Sequence, residues 1–226
     1  NIHHLGGGKL FYISAGYGHG ESYVVVRANQ LNGISQGELA LMAFHEGVPG
    51  HHLFFSHIQE NPRLEIFQRL GLHAGLVEGW ASYAETLPVL YGGDGMIDLS
   101  LQRAALQLEL VRAHRLVIDT GLHSKSWSLE RARDYAQKNL PRGFQSLFRY
   151  LLNPGQGSSY SLGLRKMRQL LDEAKTQLGE KFDIREFKSS QAFIPFRNFS
   201  PLRNESLSMI TAIIWHRVNI IIIFIF

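Results

Sequence analysis

The sequence predicts a mainly α-helical domain with a small N-terminal β element, and three observations carry that expectation. From Ser35 to Leu178, apolar residues recur at spacings of three and four, the period of helices that each bury one stripe. β-Branched runs between glycine-rich turns are confined to the stretch before Gln30, where they mark short strands. A length of 226 residues, 45% hydrophobic and 19% charged, suffices for one sizeable core and does not require a second.

Two strands are expected first, over Leu10 to Ser14 and Ser22 to Ala28, the second containing Tyr23-Val24-Val25-Val26. Gly16, Gly18 and Gly20 lie between them, but no helix follows directly, so they do not form a nucleotide loop. Ser35-Gln36-Gly37-Glu38 is a capping box, with Ser35 as N-cap and Glu38 at the third helical position. The helix it opens is expected over 36 to 60 with a break near Pro49. Pro49 has no N–H to give the carbonyl of His45, and Gly50 tolerates almost any backbone conformation. Further helices are expected over 63 to 71, 73 to 90, 98 to 122, 128 to 139, 143 to 152 and 157 to 178. Pro62, Gly92-Gly93, Pro141 and Pro154-Gly155 punctuate them, and no internal repeat is present.

Composition narrows the chemistry. There is no cysteine, which excludes disulfides and thiolate ligands and leaves histidine and carboxylate as the strong metal ligands. The net charge of +4 is spread along the chain, so no nucleic-acid partner is expected. The start at Asn1-Ile2-His3-His4, with neither an initiator methionine nor a signal-like segment, suggests a fragment or a processed product. After Phe187 the character changes, through Lys188-Ser189-Ser190 to a run from Ile220 to Phe226. The expected division is a partial catalytic-type domain over 1–187 and an atypical tail over 188–226 that stands outside it. The stretch from Leu207 has the length of a membrane span, but His216, Arg217 and Asn219 within it are costly at a bilayer centre. A membrane anchor is therefore not expected; an altered chain end with an aggregation-prone strand is.

The chemistry concentrates in His45-Glu46-Gly47-Val48-Pro49-Gly50-His51-His52, followed by Glu78-Gly79-Trp80-Ala81. Two imidazoles and a carboxylate with an open fourth position suit one zinc ion, and an adjacent glutamate suits a general base. On an ideal helix His51 would lie about 9 Å along the axis and roughly 120° around from His45, too far to share a metal. A bulge or break at Val48 to Gly50 is needed to bring His51 back. His52 returns to the face of His45 but about 10.5 Å along the axis, which makes it the weaker candidate. The expected ligands are thus His45, His51 and Glu78, with Glu46 activating water. Glu85 lies on nearly the same helix face as Glu78, as a partner of a ligand or as a solvated charge. Arg112, Arg115, Asp119 and His123 form one polar ridge, which serves either a site or a ladder of ion pairs. In the first case His123 donates to an oxyanion, with Asp119 fixing its tautomer. His3, His4, His57, His73, His114 and His216 read as surface or core residues.

At these residues the sequence resembles a peptidase-like family known as domain of unknown function 885. The shared blocks are His45 to His51, Glu78 to Glu85, Arg115 to His123 with Trp127, Pro154 to Tyr160, and Leu178 to Phe187. That family in turn looks like the gluzincin metallopeptidases, whose zinc is held by two histidines and a glutamate from a second helix. The resemblance implies a gluzincin-like helical catalytic portion, one zinc ion, a peptide substrate and peptide-bond hydrolysis. It also implies that Tyr160 polarises the scissile carbonyl, where a buried core tyrosine is the other reading, and it favours the site role for His123. In the family a lysine usually follows this tyrosine, and here it is Ser161. A long helical region normally precedes the metal helix, so the alternative is a non-catalytic, metal-stabilised or degenerate helical remnant. One of the two strands is then either an edge for an extended substrate or part of a hairpin that covers the core.

Overall fold

The computed structural model describes residues 10–14, 21–27, 31–62, 65–66, 69, 73–91, 99–140, 147–184 and 187, and the backbone of 220–225. Two N-terminal strands, β1 (Leu10–Ile13) and β2 (Ser22–Arg27), pair antiparallel with Leu10 opposite Val26. Helices follow: α1 (Gln36–Glu46), α2 (His51–Glu60), α3 (Ala74–Ala84), α4 (Leu87–Tyr91) and α5 (Leu99–Ser124). They continue with α6 (Leu129–Asn139), α7 (Phe148–Leu152) and α8 (Gln156–Leu178), which ends in a 3-10 turn over Gly179–Lys181. The described chain is mainly α with a small β element, as expected.

Local chemistry accounts for the boundaries. The capping box forms as expected: Ser35 Oγ accepts from Glu38 N–H, and Glu38 accepts from Ser35 N–H. The 36–60 helix divides into α1 and α2, with Gly47 to Gly50 as a corner and a cis Val48–Pro49 peptide. Only glycine fits at position 50, where a Cβ would lie 1.9 Å from the His45 carbonyl oxygen. The helix expected over 73–90 also divides, at Glu85-Thr86. Pro88 has no N–H for the preceding turn, and Thr86 Oγ1 donates to the Tyr83 carbonyl instead. The expected 63–71 helix and residues 143–146 of the 143–152 helix lie essentially outside the described residues, as do His3, His4, Gly16, Gly18, Gly20 and His216.

Three apolar clusters hold these elements. The largest joins Phe54 and Ile58 of α2, Trp80 and Tyr83 of α3, Leu164, Met167 and Leu171 of α8, and Phe187. A second packs α5 against α6 and α7 through Ile118, Ala132, Ala136 and Tyr150. A third seats the sheet on α1 through Leu10, Val24, Val26 and Met42. In the tail, the strand-forming run forms β3 (Ile220–Ile225), whose backbone pairs in parallel with β2, with Ser22 opposite Ile220. Strand pairing uses backbone groups, so the free edge of β2 accepts a strand whatever its side-chain pattern.

Candidate metal centre

Helices α1, α2, α3, α5 and α8 meet at one locus. His45 is in the last turn of α1, Glu46 is its final residue, and His51 is the first residue of α2. The corner between them is hooked to α3, because Trp80 Nε1 donates to the Pro49 carbonyl at 2.7 Å. This break lets His51 face His45: their rings meet edge to face, 4.6 Å between centroids. His52 points elsewhere, sharing a 3.2 Å hydrogen bond through Nδ1 with the Tyr12 hydroxyl of β1.

α3 supplies Glu78. Its Oε2 lies 3.4 Å from His45 Nε2 and 3.5 Å from His51 Nε2. These gaps are long for hydrogen bonds, and among the described residues Glu78 Oε2 has no hydrogen-bond partner although it is buried. Bonds of about 2.0–2.1 Å in a tetrahedral zinc site set ligand atoms about 3.4 Å apart, so the three donors fit the ion. Glu46 stands beside them, Oε1 4.0 Å from His45 Nε2, and one ligand atom each from His45, Glu46 and His51 fall within 4.8 Å of one another.

The surroundings fix each group. His45 Nδ1 meets Glu85 Oε1 at 2.7 Å, and Glu85 in turn accepts from both Nη atoms of the buried Arg112, with Nη2 at 2.6 Å. Burial opposes the charge on Glu85, yet the Arg112 guanidinium and His45 hold its carboxyl down to about 2. Burial likewise opposes charge on His45, but Glu78, Glu85 and Glu46 outweigh it and push the imidazole up to about 10. The pocket thus favours a cation at this point, a proton or a metal. Burial pushes the Glu46 carboxyl up, against the pull of His45, His51 and the Tyr12 backbone N–H.

From α8, the Tyr160 hydroxyl donates to Glu78 Oε1 at 3.0 Å, and Gln156 Nε2 donates to Tyr160 at 2.8 Å. Burial first, then the Glu78 charge, pushes the phenol up to about 12, so it keeps its proton. The polar ridge of α5 divides between two tasks. Arg112 and Arg115 face the ligand cluster, their guanidinium carbons 5.2 and 4.7 Å from the Tyr160 ring centroid. Asp119, 2% exposed, instead accepts from Gly155 N–H, Ser158 N–H and Ser158 Oγ, which caps α8. His123 Nε2 donates to the Tyr150 carbonyl at 2.9 Å and lies 3.8 Å from Asp119. Nε2 of His123 is thus taken up by a backbone carbonyl, and among the described residues no hydrogen bond or ion pair joins His123 to His45, His51 or Glu78. Sequence reasoning gave no role to Tyr12, nor to Gln156 within the Pro154 to Tyr160 block. Gln156 had a signal, since it lies four residues before Tyr160 on one helix face.

No curated protein matches the chain. A solved structure titled "The crystal structure of the putative lipoprotein from Colwellia psychrerythraea" aligns at 28% identity with a TM-score of 0.70 over 83% of this chain. The chain spans 35% of that protein's length. Residues 6–190, which contain every element of the cluster, match the family described as "Bacterial protein of unknown function (DUF885)", and the chain belongs to that family.

Proposed function

We propose that the chain is the metal-holding portion of a gluzincin-like zinc metallopeptidase that hydrolyses peptide bonds. The observation that carries this reading is the approach of Glu78 Oε2 to within 3.4 and 3.5 Å of two histidine Nε2 atoms, with Glu46 alongside. His45, His51 and Glu78 would hold the ion. Zinc in such a set supplies Lewis acidity, polarising a carbonyl and acidifying water. Glu46, not needed as a ligand, takes the proton from the attacking water and passes it to the leaving amine. A carboxyl pushed up by burial suits that task, because it must both accept and return a proton near neutral pH. Tyr160, still protonated and held by Gln156 and Glu78, turns its hydroxyl to the oxyanion as the carbonyl is attacked. Among the described residues the side of β1 away from β2 carries no strand, and it adjoins Glu46 through Tyr12, where an extended peptide would find backbone partners.

Metal analysis and peptide hydrolysis on one preparation test this. The expected result is about one zinc per chain, lost in His51→Ala and kept in His52→Ala. Glu46→Gln keeps the metal and loses nearly all hydrolysis, because an amide cannot accept the proton. Full hydrolysis by Glu46→Gln would overturn the general-base assignment. A second reading, a metal-stabilised scaffold without catalysis, draws on the 35% span of the structural relative. Zinc binding without hydrolysis of any peptide would favour it.

A further inference from the structure

Two cations beside the proposed metal centre, Arg115 and Arg149, are not consumed by the chemistry above, whereas Arg112 is. Arg112 is buried and paired with Glu85. Arg115, a turn further along α5, is only half-buried. Its guanidinium carbon lies 4.7 Å from the Tyr160 ring centroid, and Nη2 donates to Gln156 Oε1 at 3.3 Å. Its hydrogen bond and charge also act on the Tyr150 phenol, and the charge of the half-buried Arg149 acts on both Tyr150 and Tyr160. Among the described residues neither Arg115 nor Arg149 takes part in an ion pair. Two carboxylates lie nearby: both Asp119 oxygens are occupied by the α8 N-terminus, and Glu78 Oε1 accepts from Tyr160 and Gln156.

A guanidinium offers five N–H donors in a planar fork that matches a carboxylate. Arg115 is therefore incompletely used by its protein partners. It is also close to the reaction. Tyr160 bridges the two, its ring under Arg115 and its hydroxyl 3.0 Å from the ligand Glu78. An extended peptide advances about 3.3–3.6 Å per residue, so one or two residues span from a carbonyl at the metal to this guanidinium.

We propose that Arg115, supported by Arg149, is a specificity-determining residue that binds a substrate carboxylate one or two residues from the scissile bond. Two sources supply that chemistry: the C-terminal α-carboxylate, which makes the enzyme trim one or two residues from peptide ends, or an acidic side chain within a longer peptide. The proposal rests on the peptidase reading for its consequence in catalysis, but not for the binding itself.

Three peptides of one core sequence test it on the zinc-loaded full chain: a free acid, its C-terminal amide, and an amide with glutamate as the last residue. Calorimetric binding is measured alongside hydrolysis. The wild-type chain is expected to bind the free acid or the glutamyl amide roughly ten- to a hundredfold more tightly than the plain amide, as for a hydrogen-bonded charge. The preferred one identifies the carboxylate source. Arg115→Ala should abolish that preference, raising KM for the preferred peptide more than it changes kcat, while Arg115→Lys and Arg149→Ala retain part of it. Equal weakening of all three peptides by Arg115→Ala means the residue only supports Tyr160, and overturns the proposal. So does a wild-type chain that does not distinguish the amide from either carboxylate. Carboxylate-selective binding that depends on Arg115, without any hydrolysis, keeps the subsite and removes the peptidase reading.

Discussion

A metal-ligating histidine almost always has its second nitrogen anchored, and for His45, the ligand we propose, that anchor is Glu85, itself clamped by Arg112. Glu85→Gln keeps the shape but weakens the acceptor on His45 and leaves the Arg112 charge buried without its counter-ion. Such an outer partner is worth about 10- to 100-fold in metal affinity, measured by competition with a chelating dye. The broken ion pair should also cost about 3–5 kcal/mol in denaturant unfolding. An unchanged affinity in the folded variant would reduce Glu85 to a packing role. Seven residues separate Glu78 from Glu85, so their shared face was legible in the sequence, but their division of labour was not. Which carboxylate faces Nε2 and which faces Nδ1 depends on the docking of α3 against α1. The turn of His51 rather than His52 toward His45 was legible for a different reason: Pro49 and Gly50 break the straight helix that would have brought His52 round to that face. The partner of His123 Nε2, the Tyr150 carbonyl, was not legible, because spacing shows that a residue shares a face and not which group waits opposite.

Between elements, the decisive contact is the crossing of α3 and α8. A Cβ on Gly163 would lie 2.1 Å from the Gly75 carbonyl oxygen, and one on Gly79 would lie 2.6 Å from the Gly163 backbone. The two helices touch backbone to backbone there. That contact sets Glu78, the neighbour of Gly79, against Tyr160, three residues before Gly163. Gly163→Ala gains helix propensity of about 1 kcal/mol, but backbone on both sides must move, with an overpacking cost of about 1–3 kcal/mol or more. The expected outcome is a net loss of stability in chemical denaturation, together with weaker zinc binding because Glu78 shifts. A stabilised variant with intact affinity would show that the crossing has slack. Asp119→Ala tests the other end of α8. It removes the acceptor of three hydrogen bonds, and the loss of the cap alone costs about 1–2 kcal/mol. The α8 N-terminus, with Gln156 and Tyr160, should then show faster amide exchange. Unaltered protection at Gln156 to Tyr160 would mean that packing, not the cap, holds the helix.

For the whole molecule, the helical periods and turn residues placed most described elements, because those signals are local. The pairing of the tail was invisible, since nothing in a run from Ile220 to Phe226 states which edge it will meet. Two facts bear on whether that strand belongs to the functional unit. The family match ends at residue 190, before the strand begins. The route from sheet to site runs through β1, whose Tyr12 reaches His52 and Glu46, whereas β3 lies on the far side of β2. We therefore predict that a chain ended after residue 190 binds zinc with the affinity of the full chain. Its solubility is set by two opposed effects. Removing β3 bares the backbone edge of β2, which favours association. It also removes an uncharged, strongly β-forming run, the type of segment that drives aggregation. Arg27, the last residue of β2, and Glu21, just before its first, blunt the newly bared edge, so the second effect prevails and the shortened chain stays soluble at higher concentration. Zinc titration and light scattering on both lengths decide the matter. Loss of zinc binding on truncation would make β3 an integral strand and extend the functional unit to the end of the chain.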